Sequence, residues 1–144
     1  TDLYGFNCWY RMEGLTGQNA DVFSDYIDVI SPMFYPSHFP ASFYGKESYF
    51  DRARIIYEEG VARAAAIVEG RSLIRPYVQA FLLGRELKMK APQYTQYLLK
   101  QLEGSKAAPS SGFTLWNNSN NYYMVRNPLG PYILDQEEET CFEE

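Results

Sequence analysis

An α/β fold of parallel β/α units is what this chain predicts, and three observations carry that reading. Short apolar runs with the β-branched content of buried strands recur, among them Val29-Ile30 and Leu73-Ile74. Helical sequence lies between the runs, and strand–helix alternation with helices of ten or more residues means a parallel sheet. The third observation is how the runs end. The first finishes in Tyr35-Pro36-Ser37-His38-Phe39, the second in Tyr77-Val78-Gln79-Ala80-Phe81 and the third in Trp116-Asn117-Asn118. In a parallel architecture the carboxyl ends of the strands share one face of the sheet. Aromatic, amide and imidazole groups gathered there form a site and not a core.

The elements follow in order. Leu3-Tyr4-Gly5-Phe6-Asn7-Cys8-Trp9 reads as a first strand, and the glycines of Glu13-Gly14-Leu15-Thr16-Gly17-Gln18 mark a loop. A short helix is expected from about Asn19 to Tyr26. The second strand covers about Ile27 to Tyr35 and stops at Pro36, and Pro40 to Ser48 reads as a long aromatic loop. From about Phe50 to Glu69 the pattern turns helical. Ile55, Ile56, Ala64, Ile67 and Val68 recur near the 3.6 period, with Arg52, Arg54, Glu58, Glu59 and Arg63 as the polar set. Gly60 interrupts this helix at a cost of roughly 1 kcal/mol against alanine, and Gly70 suits its C-terminal cap. The third strand is expected at about Ser72 to Gln79. A further helix runs from about Ala91 to Leu102, with Pro92 in its first turn and Gly104 at its end. The fourth strand is about Gly112 to Trp116, followed by a polar-aromatic loop to Tyr123. Residues 127–131 break the chain, and the acidic stretch from Asp135 reads as a solvated tail.

Four strands with their helices make half of an eight-stranded barrel, a fold that typically takes about 250 residues. The chain has 144. An open four-stranded sheet leaves two unpaired edges, so residues 1–131 are expected to be a partial barrel, completed by a missing half-barrel or by a second copy of the chain. The rival is a small open α/β domain. Residues 132–144 are the tail.

Composition narrows the partners. The apolar share of 46% supports a real core, and the aromatic share of 17%, with 13 Tyr and 9 Phe, is high. Such rings suit sugar faces and interfaces, or simply fill a core. The net charge is −5 and no basic stripe is visible, which argues against nucleic acid as a partner. No apolar window is long enough for a membrane span. Cys8 and Cys141 lack metal-like spacing and read as two unrelated thiols, and His38 is the one histidine, so no metal site and no cofactor are expected. Asn117-Asn118-Ser119 is a weak glycosylation sequon. The chain opens at Thr1 and reads as a processed or excised segment. An extracytoplasmic location follows if a missing N-terminal part carries a signal.

Three of these motifs carry a family resemblance. Ser31-Pro32-Met33-Phe34-Tyr35-Pro36-Ser37-His38-Phe39, then Ile74-Arg75-Pro76-Tyr77-Val78-Gln79-Ala80-Phe81, then Leu115-Trp116-Asn117 with Asn121-Tyr122-Tyr123, resemble in order the strand motifs of a bacterial family of glycoside-hydrolase-type barrels. That family is distantly similar to α-amylase-type enzymes. Gln18 and Asp28 also fit. The resemblance spans about Leu3 to Tyr123. It implies a TIM-type barrel acting on oligo- or polysaccharide, with this chain as the C-terminal half.

Glycoside hydrolysis usually needs two carboxyl groups flanking the scissile bond. At the predicted strand ends Glu13 is the one acid in a suitable place, so it is the candidate general acid. Its bland reading is a solvated loop carboxylate. Glu86 is a second candidate acid, but it sits further into a loop or helix start, where an ordinary surface role fits better, and Asp28 reads as a residue of the opposite, stabilising face. The second acid must come from elsewhere. Tyr35 and His38 are candidates to hydrogen-bond sugar hydroxyls, although a lone histidine is often structural. Gln79 is a buried amide that needs partners, which sugar hydroxyls would supply. Arg75 either holds a catalytic carboxylate ionised or makes an internal ion pair. Trp116 either stacks on a sugar ring or packs in the core. Asn117 and Asn121 either bind hydroxyls or form turns. The reading is a glycoside hydrolase of which this chain supplies half the cleft. The alternatives are a non-catalytic carbohydrate-binding domain and a self-associating half-barrel.

Overall fold

The computed structural model describes residues 1–10 and 16–125 of the chain. In order these form β1 (Asp2–Tyr4), α1 (Gly5–Trp9), α2 (Ala20–Phe23), β2 (Val29–Met33), α3 (Tyr49–Val68), β3 (Leu73–Ile74), β4 (Tyr77–Gln79), α4 (Ala91–Ala107) and β5 (Thr114–Trp116). Short 3-10 turns occupy Pro36–His38, Gly84–Lys88 and Tyr123–Val125. Every strand pair is parallel, in the order β1-β2-β4-β5, with β3 also on β2. Ile30 opposes Ile74 and Met33 opposes Tyr77, so β3 and β4 keep one register against β2. They are a single strand interrupted at Pro76, which has no N–H to give to a ladder.

The spatial order of the strands is their chain order. A doubly wound sheet reverses direction at a switch point, whereas a β/α barrel adds each strand on the same side. Among the described residues this sheet has no reversal. It is a mixed α/β fold with parallel strands in one sheet, compatible with half of a TIM-type barrel.

Alternation along the strands divides the two faces of the sheet. Leu3, Ile30, Phe34, Ile74 and Val78 are buried, and with Ile56, Tyr57, Val61, Ala64, Leu98 and Leu102 of the two long helices they belong to one core. The opposite face carries Tyr4, Met33, Leu73, Arg75, Tyr77, Thr114 and Trp116. Tyr4 is 56% exposed, Leu73 53% and Trp116 44%. Among the described residues this second face, which would line a closed barrel, stays open.

Two expected elements change. The segment after Tyr4 is the helix α1 and not a continuing strand: Gly5, Cys8 and Trp9 are buried at helical spacing. Gly5 permits the turn, since a Cβ there would stand 2.7 Å from the Met33 carbonyl oxygen. Gly104 does not end α4, which continues to Ala107. It sits at the crossing with α3, where a Cβ would stand 2.1 Å from the Arg54 carbonyl oxygen. Gly60 also lies inside an unbroken helix, and a Cβ there would meet Trp9 at 2.9 Å and Phe34 at 3.0 Å. Its propensity cost is offset by two aromatic rings packed against bare backbone. Asn19 caps α2 by accepting from Asp21 N and Val22 N, and Ser48 caps α3 by accepting from Asp51 N.

Much of the aromatic content goes into this core. Trp9 makes edge contacts with Phe34, Phe39 and Phe43 at centroid distances of 6.1, 5.7 and 5.1 Å. Arg52, expected on the polar side of its helix, is buried instead. Its guanidinium donates to the carbonyl oxygens of Pro36, Phe39, Pro40 and Phe43, which ties the loop after β2 onto α3.

Gly104→Ala is expected to destabilise the fold by about 1–3 kcal/mol, because overpacking against backbone outweighs the roughly 1 kcal/mol gained in helix propensity. Urea unfolding measures it, and a variant as stable as the parent would refute the close crossing of α3 and α4.

Candidate functional site

The site begins where β2 and β4 part. The alternate residues Leu73 and Arg75 donate their N–H groups to Asp28 and Ile30 of the β2 segment. By the same alternation the Gln79 N–H faces β2, yet the last bridge between the strands is Met33 with Tyr77. Buried backbone groups need partners, and here the helices provide them. Gln79 N donates to Gln101 Oε1 at 3.0 Å and to the Tyr57 hydroxyl at 3.2 Å. The Gln101 amide returns a bond to Gln79 O at 3.2 Å, and the Tyr57 hydroxyl donates to Tyr77 O at 2.8 Å. The separation of the two strands is thereby held open by side chains from α3 and α4.

The Gln79 side chain occupies that gap. Its Nε2 donates to Glu86 Oε2 at 2.7 Å and to Phe81 O at 2.9 Å. Its Oε1 accepts from Ser37 Oγ at 2.9 Å and from Ser37 N at 3.2 Å. Glu86 is fully buried. It accepts from the hydroxyls of Tyr49 and Tyr97 at 2.6 Å each, and from Leu83 N at 2.9 Å. The surface role expected for Glu86 is therefore replaced by a buried one. The carboxyl group is enclosed by four donors and is unavailable to substrate. Burial, with Glu86 next to them, raises the Tyr49 and Tyr97 hydroxyls well above the ordinary tyrosine value. Burial does the same to Tyr57.

Above this node the rings of Tyr35, His38 and Phe81 meet. The centroids lie 5.4 Å apart for Tyr35–His38, 5.4 Å for Tyr35–Phe81 and 6.2 Å for His38–Phe81. His38 is exposed, and its Nδ1 lies 2.9 Å from Ser37 Oγ. The Tyr35 hydroxyl is raised by burial and then by Tyr77 and Asp2. Asp2 acts on Tyr77 in the same way, which puts an unanticipated carboxylate on the open face. A cavity of about 230 Å³ beside these rings is lined by Tyr4, Phe6, Met33, Tyr35, His38 and Phe39. A second, of about 390 Å³, is bounded by Ser37, Glu47, Tyr49, Arg52 and Arg85.

The structure gathers Tyr35, His38 and Gln79 at one end of the sheet, with Trp116 opposite Gln79 in the ladder. Trp116 also makes an edge contact with Tyr77 at 5.9 Å. The fold itself takes up both candidate amides. Every hydrogen-bonding position of Gln79 is filled, so sugar hydroxyls are not what completes it. Asn117, 3% exposed, donates to Ala80 O and Asn121 O and accepts from Ser119 and Asn121 N. It builds the turn that presents the exposed Asn121, and its buried amide is a poor acceptor for the glycan its sequon suggested. Arg75 lies towards the amino ends of the strands, where its Nε donates to Ser111 O at 3.0 Å. That is away from the Tyr35–His38 end. Glu13 and Cys141 lie outside the described residues. Cys8 is buried, and burial pushes its thiol up to about 12.

Ser37, Tyr49, Tyr97 and Gln101 are the participants that sequence reasoning missed, and Glu86 is the one whose setting it misplaced. The one available signal was polar residues set among apolar neighbours, as with Gln101 beside Leu102. Among the described residues no group of three His, Cys, Asp or Glu side chains is placed to hold a metal. No described helix is long and apolar enough to cross a membrane.

A family model described as a putative glycosyl hydrolase domain matches residues 1–122. No curated protein and no solved structure matches the chain.

The raised tyrosines should make stability fall at alkaline pH. A folded-state pKa above the unfolded value of about 10 keeps the proton on in the folded chain after the unfolded chain has lost it. The stabilisation is therefore complete below about pH 10 and is lost as pH rises through the raised values. Unfolding free energy should be insensitive to tyrosine titration up to about pH 10 and fall steeply above it. Tyr97→Phe should lessen that fall, while costing about 1–3 kcal/mol at neutral pH through the donor taken from Glu86. Denaturant titrations from pH 8 to pH 12 measure both, and an unchanged alkaline slope in the variant would count against a buried Tyr97–Glu86 bond.

Proposed function

The chain belongs to the putative glycosyl hydrolase domain family, and from that premise we propose that it contributes one half of a carbohydrate-cleaving cleft. One observation carries the reading: the carboxyl ends of the parallel strands bring Tyr35, His38, Phe81 and Trp116 to the same end of the sheet, next to a sheet face left open. Aromatic faces with polar tips suit sugar rings, which offer apolar C–H faces and a rim of hydroxyls. In this reading Trp116 stacks on a ring, His38 and Tyr35 meet hydroxyls, and Asn121 reaches the substrate from the turn that Asn117 organises. Arg75, at the amino ends of the strands, stands outside the cleft. Gln79 and Asn117 act by holding their neighbours.

Glu13 is proposed as the general acid, in the segment that follows α1. Glu86 is enclosed and Asp2 starts the first strand, so the partner carboxyl group is assigned to whatever completes the barrel, a further half-barrel or a second copy of this chain. The open face supports that completion, since it exposes Tyr4, Leu73 and Trp116 in one sheet. A carbohydrate-binding domain without turnover is the second reading. It is favoured by the burial of Glu86, which leaves the described strand ends without two opposed, accessible acids.

Hydrolysis of an oligosaccharide panel by the assembled protein, followed by reducing-end release, separates the two. Glu13→Gln should lower turnover by roughly 10²–10⁴-fold with binding nearly intact. Full activity in the variant would remove Glu13 from the mechanism. Binding without turnover in the parent would establish the second reading.

A further inference from the structure

We infer that a relay of hydrogen bonds, running from the buried Glu86 through Gln79 and Ser37 to the exposed His38, fixes the tautomer of the one histidine and presents its Nε2 as a hydrogen-bond acceptor for a sugar hydroxyl. Gln79 Nε2 lies against Glu86 Oε2 and Phe81 O, both acceptors, while Oε1 lies against Ser37 N, which can only donate. Only one orientation of the amide satisfies all three contacts. Oε1 has no hydrogen, so the Ser37 hydroxyl gives its single proton to Oε1 across 2.9 Å. The remaining contact of Ser37 Oγ, 2.9 Å from His38 Nδ1, then requires the hydrogen to be on Nδ1.

A neutral imidazole carrying its hydrogen on Nδ1 has a lone pair on Nε2. Nε2 has no hydrogen-bond partner among the described residues, and His38 is exposed and lines the 230 Å³ cavity with Tyr35 and Met33. Glu86, Gln79 and Ser37 are thus positioning residues. Glu86 sets the amide, the amide sets the hydroxyl, and the hydroxyl sets the ring. The arrangement also gives a role to the fully buried carboxyl group of Glu86, in the 3-10 turn beyond β4. The relay stands on its own geometry, whereas the hydroxyl as the group that meets Nε2 rests on the carbohydrate reading above.

The chain has 1 His, so imidazole nitrogen resonances have a single assignment. Long-range ¹H–¹⁵N spectra of the full chain, taken at a pH high enough that the imidazolium signal has gone, read the tautomer directly. The expected result is a pyrrole-type Nδ1 and a pyridine-type Nε2. Ser37→Ala should shift the pattern towards the Nε2–H form that free imidazole side chains prefer, a change that simple loss of stability would not produce. A parent with Nε2 protonated, or a Ser37→Ala variant with an unchanged pattern, would overturn the relay. Titration with maltotetraose, cellotetraose and chitotetraose then tests the acceptor. A binding sugar should move the Nε2 resonance in the parent, and one that binds without moving it would overturn the acceptor role. An Nδ1–H tautomer in a protein that binds none of the three leaves the relay standing and counts against the carbohydrate reading alone.

Discussion

The parting of β2 from β4 is the constraint on which the rest of the structure depends. Parallel strands that separate leave backbone groups facing a gap, and a buried gap cannot be left to water without room for it. Here Tyr57 and Gln101 reach across from two different helices to satisfy Gln79 and Tyr77. That fixes where α3 and α4 lie on the sheet. Their close crossing at Gly104 follows, because a side chain there would drive the helices apart and withdraw both partners. The side chain of Gln79 is then free to point into the gap and tie the loop after β2 to the loop after β4.

The one-sided layering has a separate consequence. A parallel sheet is normally covered on both faces, and among the described residues this one packs its helices on a single face. Tyr4, Met33, Tyr77 and Thr114 form one row across the uncovered side. In a closed barrel such rows interdigitate as internal layers. The sequential strand order, the face left open among the described residues and the aromatic strand ends are compatible with half of a TIM-type barrel. The chain's family is described as a putative glycosyl hydrolase domain, the chemistry that the proposed cleft would serve.

The sequence made the periodic parts legible. The second strand, the long helix through Ile55–Val68 and the order of the strand-end motifs all rest on local spacing. Other features depend on partners far along the chain. Nothing near Glu86 reveals its burial, because Tyr49, Gln79 and Tyr97 come from three separate elements. Arg52 looks like a surface cation until four carbonyl groups of one loop converge on it. The α1 segment shows a short apolar run that suits a strand as well as a helix, and the close approach of Gly5 to Met33 decides between them. Gln79 and Asn117 were recognisable as polar residues at informative places. Whether the amide faces a ligand or the protein depends on loops whose paths have no local signature.

The claim at the centre of this account is that the open sheet face belongs inside a larger barrel. Native mass spectrometry of the full chain, beside denatured mass on the same sample, tests it most directly. The account predicts a native species heavier than one chain, either a homodimer or a complex with a second polypeptide. A native species of one chain's mass across the working concentration range would contradict it, and would leave the strand-end cluster as a feature of a small open domain.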